Sequence, residues 1–253
     1  MEQKQKRGLL LGLTALLALG AFFLRQAQLR TAYDESGMIR PGAGLGIFTW
    51  YTIGAVLLLA ALAFFLAKRQ DYGAIASRSP LTAIVICLAA FGTVIGSIMQ
   101  YFSPEKSVDT ILALLSLFSG VCWLMMALGG LQGKRLHPLL YFLPVIAYGA
   151  RLALDFRSLS SDPVILDYCY DLLALIFTMC ALLELWAFAF NRGRRRLAVF
   201  FCLGSVFFSA AALADATPRN LALTGGALVY LLSYSWLLLR PVAVRKAAKD
   251  ANP

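Results

Sequence analysis

The chain has 253 residues, 60% of them hydrophobic and only 14% charged, with a formal net charge of +10. A soluble domain runs nearer half apolar and a quarter charged, so a single soluble core cannot hide this much apolar surface. A strongly basic balance raises nucleic acid as a partner, but no DNA- or RNA-binding motif is present, and nucleic acid is set aside.

The apolar residues come in blocks of about 20, the length that spans some 30 Å of hydrocarbon at 1.5 Å per residue. The first block, Gly8 to Leu24, follows the basic stretch KQKR. That is the outline of a signal peptide, but the block is long for one and no A-x-A site follows, so it reads as a transmembrane helix. The later blocks are Ile47–Ala67, Leu81–Phe102, Asp109–Leu131, Pro138–Phe156, Val164–Phe190, Leu197–Ala214 and Leu221–Leu239. Lipid offers backbone groups no partners, and these blocks are too long and too apolar for barrel strands. The expected fold is all-α and integral to the membrane: a single domain over 1–253 with eight transmembrane helices.

Loop charge gives an orientation. Assigned to alternate sides, sixteen lysines and arginines fall on the side of both termini and seven on the other. With the acids included, the halves carry +12 and −2. Positive loops stay inside, so both termini are expected in the cytoplasm, with the basic side also attracting anionic lipid heads. Trp50, Tyr51, Tyr101, Tyr168 and Tyr170 fall near the outer border, and Tyr141, Trp186, Tyr234 and Trp236 near the inner one. Such residues favour that depth because one end is apolar and the other polar.

The third and seventh helices share a basic start and an early Cys-Leu. This suggests a parallel four-plus-four repeat with halves 1–133 and 134–253, although any two membrane hairpins look somewhat alike.

Chemistry concentrates in RLALDFRSLSSDPVILDYCYDLLALIFT, residues 151 to 178, which holds six charges. Ionisable groups at membrane depth are costly and usually face protein or a water-filled cavity. Tyr141, Pro144, Tyr148, Arg151 and Asp155 recur at three and four residues and line one face of the fifth helix. Asp167, Asp171 and Thr178 share a face of the sixth by the same rule. Arg151 and Asp171 each sit about 10 Å below the outer end of their helices. Two readings stand: a structural ion pair between the two helices, or an outward-facing polar pocket for a small solute or ion. Gln100, Asp109 and Asp215 lie at similar outer ends and could join such a pocket. Pro144 removes a backbone donor and should loosen or kink its helix.

Other features read as structural. Glu184 lies deeper, off the Asp171 face, and is expected to reach towards Arg192 or Arg195. Gly92 and Gly96 form GxxxG, a close-packing motif. PGAGLG, residues 41 to 46, has no preceding strand and no Gly-Lys-Ser/Thr, so it is a loop rather than a phosphate cradle. The basic run at Arg192, Arg194, Arg195 and Arg196 is a topology signal that could also dock a cytoplasmic protein partner.

Enzyme readings find little support. No H-E-x-x-H or G-x-S-x-G occurs. Tyr170-Asp171 matches half of an intramembrane aspartyl protease signature and the other half is missing. The five cysteines lack CxxC spacing and His137 is the only histidine, so neither a metal site nor a cofactor is expected.

The stretch RLALDFRSLSSDP…LDYCYDLLAL resembles uncharacterised multi-pass membrane proteins of bacteria, over helices five to seven. The resemblance implies a bacterial plasma (inner) membrane location and brings no activity with it. The functional expectation is a transporter-like or small-solute-binding membrane protein, with a sensory or accessory protein acting through a partner as the alternative.

Overall fold

The computed structural model describes residues 2–32, 46–66, 79–104, 108–132, 136–159, 165–190 and 192–239. Eight helices account for nearly all of them: α1 (Glu2–Ala32), α2 (Gly46–Leu66), α3 (Pro80–Phe102), α4 (Asp109–Gln132), α5 (Leu139–Leu159), α6 (Ile165–Ala189), α7 (Arg195–Ala212) and α8 (Pro218–Leu238). A short 3-10 turn, Leu213–Asp215, follows α7. All eight are long and apolar enough to cross a membrane. The PGAGLG loop lies outside the described residues except for Gly46, which opens α2.

Two of the helices differ from the expected outline. α1 runs on to Ala32, eight residues past the end of its apolar block. The extension RQAQLRTA is polar but made largely of good helix formers, so propensity carries the helix past the point where hydropathy falls. α5 continues unbroken across Pro144, which is buried in the bundle.

Six helices close a ring. α3 packs on α4, α4 on α5, α5 on α6, α6 on α7, α7 on α8, and α8 returns to α3. The α1–α2 hairpin lies outside this ring and rests chiefly on α7. Enclosed from both sides, α7 is the most buried of the eight, with 67% of its span inside the protein. A four-plus-four scheme would make α3 the counterpart of α7. α3 instead packs on α4 and α8, with no comparable packing on α5 among the described residues, so the arrangement gives the repeat no support.

The helices are amphipathic in the inverse sense. On α3 the exposed row is Leu81, Ile84, Leu88, Phe91, Ile95, Ile98 and Phe102, at alternating three- and four-residue steps. Its opposite, buried row is small and polar: Thr82, Ala83, Ala89, Ala90, Thr93, Gly96, Ser97 and Gln100, with Ile86 the one large apolar member. α4 repeats the pattern outward with Ile111, Leu114, Phe118, Val121, Met125 and Leu128. Large apolar side chains outward and small ones inward suit a hydrocarbon solvent, where helices associate by close packing rather than by escaping water.

That packing is tightest between α3 and α8. A Cβ added at Gly96 would lie 3.0 Å from Leu223 N, and one at Gly226 would lie 2.8 Å from Ala89 O. Only hydrogen fits at these two positions. The hydroxyls of Thr93, Ser97, Ser119, Ser233 and Ser235 donate to carbonyls one turn back, so they add no unpaired donor to the interior.

Candidate functional site

A cluster of charged and polar residues lines one end of the ring, opposite the start of α1 and the end of α8. There the end of α3, the start of α4, the end of α5, the start of α6, the end of α7 and the start of α8 surround a cavity of about 260 Å³.

Local sequence explains how each wall presents its groups. α4 begins at Asp109, where the helix dipole favours a carboxylate. α8 begins at Thr217-Pro218. Thr217 Oγ1 accepts from Asn220 N, and proline at the first helical position needs no partner for a missing N–H. This cap fixes the first turn of α8, which carries Arg219 and Asn220 into the cavity wall. Arg219 Nη1 lies 3.8 Å from Asp109 Oδ2, tying α8 to α4. Arg151 Nε lies 3.5 Å from Asp155 Oδ2, one turn on along α5, and its Nη2 donates to Asn220 Oδ1 at 3.5 Å. Arg151 therefore links α5 to α8, on the far wall of the ring.

Eight residues singled out from the sequence line this one cavity: Gln100, Asp109, Tyr148, Arg151, Asp155, Asp171, Thr178 and Asp215. Asp171 and Asp215 are exposed, while Gln100, Tyr148 and Thr178 are buried. Asp167 belongs to the first turn of α6, and its side chain lies outside the described residues. The cavity is wider than a cleft between the fifth and sixth helices, because α3, α4, α7 and α8 supply half its wall. Arg219, Asn220, Thr224, Ser209 and Tyr168 also line it, and none of them was expected there from the sequence. Asn220 and Thr224 stand four apart on α8, a spacing that signals a shared face.

Two lining groups are both deeply buried and unsatisfied. Gln100 is 3% exposed and Ser209 1% exposed, and neither Gln100 Oε1 nor Ser209 Oγ has a hydrogen-bond partner among the described residues. Buried polar atoms are nearly always paired, and one left without a partner costs about 1–3 kcal/mol. Thr178, by contrast, shares a 2.6 Å hydrogen bond with Ser205.

Beyond Tyr148 the interior is filled. Trp123 stacks on Tyr148 at 6.3 Å and on Tyr230 at 4.0 Å, and Tyr230 packs on Tyr234 at 4.8 Å. Tyr230 Oη donates to Met126 Sδ at 3.2 Å. Trp123 and Tyr230 are the two largest fully buried side chains. This aromatic column packs the interior next to the cavity wall at Tyr148.

Two basic residues fall differently from their expected places. Arg25, counted among the charges of the outer side, is 3% exposed within the long α1, donates to Gln28 Oε1 and lies 5.1 Å from the centre of the Tyr170 ring. Arg195, grouped with an accessible basic run, is 8% exposed, and its Nε donates to Leu238 O at 2.6 Å. It closes the end of α8 and is not free to dock a partner. Arg192, Arg194 and Arg196 are exposed. Glu184 meets this segment through its backbone: Glu184 Oε2 accepts from Arg194 N at 3.1 Å.

Among the described residues, no three acidic, thiol or imidazole groups gather closely enough to hold a metal ion. No family model matches the chain, and neither a curated protein nor a solved structure matches it.

Proposed function

We propose that this chain is a plasma-membrane protein that binds a small solute in the polar cavity of its six-helix ring, from the outer side, and works as a transporter or a solute-binding membrane subunit. The observation that carries this reading is the pair of unsatisfied buried acceptors, Gln100 Oε1 and Ser209 Oγ, in a cavity lined by six charged side chains. Burying polar atoms unpaired destabilises the fold, so their retention suits a site whose partner is a ligand. A structural ion pair alone would need neither the space nor the empty acceptors. At about 260 Å³ the cavity falls just below the range of drug-sized pockets and fits a small metabolite.

The orientation belongs to the same proposal. Both termini lie in the cytoplasm by the distribution of lysine and arginine, which puts the cavity on the outside. The resemblance to bacterial multi-pass proteins supports a bacterial inner membrane.

The second reading is a sensory or accessory protein. It is favoured by the filled aromatic column, which a one-sided receptor requires and a transporter must rearrange, and by exposed Arg192, Arg194 and Arg196 at the opposite end. The deciding experiment measures thermal stabilisation of purified protein by a solute library, then flux of any hit into proteoliposomes. Stabilisation with flux supports a transporter, and stabilisation without flux supports a receptor. An absence of any stabilising solute rejects both as solute-binding proteins.

A further inference from the structure

The composition of the cavity wall narrows the ligand, if the cavity is the binding site proposed above. Its ionisable lining comprises four carboxylates, Asp109, Asp155, Asp171 and Asp215, against two guanidinium groups, Arg151 and Arg219. Each guanidinium already has a carboxylate within 4 Å: Arg219 has Asp109 and Arg151 has Asp155. Among the described residues the formal balance of the wall is therefore −2.

The unsatisfied atoms point the same way. A glutamine amide oxygen can only accept a hydrogen bond, and a serine hydroxyl can accept two as well as donate one. A wall rich in acceptors and negative in sum is complementary to a ligand that offers only donors. An ammonium group has three donors and no acceptor. The carboxylates are also spread over α4, α5, α6 and the turn after α7 rather than converging on a point. That spacing suits an organic cation with some length better than a single inorganic ion.

We infer that the cavity takes a small organic amine in its protonated form, seated on Gln100 and Ser209 in the buried part and neutralised by Asp215 at the exposed part. The amine would meet the unpaired acceptors with its N–H donors and the negative wall with its charge, whereas a neutral molecule of the same length lacks the charge and an anion brings the wrong sign.

The test uses full-length protein in detergent and a set of four-carbon probes: 1,4-diaminobutane and butylamine as cations, butane-1,4-diol as the neutral match and succinate as the anion. Potassium chloride at equal ionic strength is the control. The amines are expected to raise the melting temperature in a saturable way, with the diol, succinate and the salt producing no such rise. Gln100→Leu should leave the ligand-free melting temperature equal or higher, since it deletes an unsatisfied buried acceptor, while weakening amine binding. Asp215→Asn should weaken it as well. A charge-assisted hydrogen bond corresponds to roughly a ten- to hundredfold loss of affinity.

Stabilisation by the diol or succinate but not by the amines overturns the cationic class and leaves the solute-binding reading standing. Equal stabilisation by potassium chloride, or an amine response unchanged in both variants, overturns the amine assignment. No response to any probe or to the wider library overturns both.

Discussion

Arg219 in the first turn of α8 faces Asp109 in the first turn of α4, Nη1 to Oδ2 at 3.8 Å, and both side chains are more than four-fifths withdrawn from solvent. A cation at a helix N-terminus opposes the helix dipole, and the carboxylate offsets it. The pair thereby fixes two helices that are not neighbours in the ring. Asp109→Asn should lower stability by about 1–2 kcal/mol, less than for a fully buried pair because of the long contact and remaining exposure. A double-mutant cycle with Arg219→Gln, read by thermal unfolding in detergent, should show a positive coupling. Strict additivity would remove the pair from the account of how α4 and α8 are joined.

The α3–α8 contact predicts a contrast between neighbouring glycines. At Gly96 and Gly226 an added methyl meets backbone at 3.0 Å or less, whereas at Gly92 the nearest atom is at 3.5 Å and at Gly225 nothing lies within 4 Å. Gly96→Ala and Gly226→Ala should each cost about 1–3 kcal/mol through forced separation of the helices. Gly92→Ala and Gly225→Ala should be near neutral or slightly stabilising, since alanine is the better helix former. Equal effects at all four positions would show that helix propensity, not close approach, governs them.

The basic run before α7 should divide by burial rather than by charge. Arg195→Gln removes a buried, charge-assisted hydrogen bond to Leu238 O and should cost about 1.5–3 kcal/mol. Arg192→Gln and Arg194→Gln remove exposed side chains and should stay within about 0.5 kcal/mol. Melting temperatures of the three variants settle the matter, and a neutral Arg195→Gln would break the proposed closure of α8.

Orientation can be read by labelling. In a background with the five native cysteines replaced, Asp215→Cys should react with an impermeant maleimide on intact cells. Arg194→Cys should react only after the membrane is opened. The reverse result would turn the cavity towards the cytoplasm and put both termini outside.

The eight spans were legible because each is a block of apolar residues long enough to cross hydrocarbon. The α5–α6 part of the cavity was legible because Arg151, Asp155 and Asp171 are charges inside such blocks, and charge at that depth stands out. Arg219, Asn220 and Thr224 did not stand out, because a polar first turn looks like the end of a loop until the ring brings it opposite α5. Ser209 is one of many small hydroxyls that membrane helices tolerate. Arg195 carried a readable sign: Arg195, Ala198, Val199 and Cys202 follow helical spacing, and all four are buried. The run of arginines around it masked that spacing.

The ring has a consequence for how the protein is made. Its closing seam joins α3 to α8, the third helix to leave the ribosome and the eighth. The α1–α2 hairpin takes its main contacts from α7, the seventh. During synthesis the polar faces of α3, α4, α5 and α6 therefore enter the bilayer before the helices that cover them exist. Gln100 and Asp109 must wait in lipid, or in the shelter of an insertion factor, until α8 arrives. A chain stalled before α7 would leave the first hairpin unanchored and the cavity without two of its walls. Such a product is one that membrane quality control should recognise and clear.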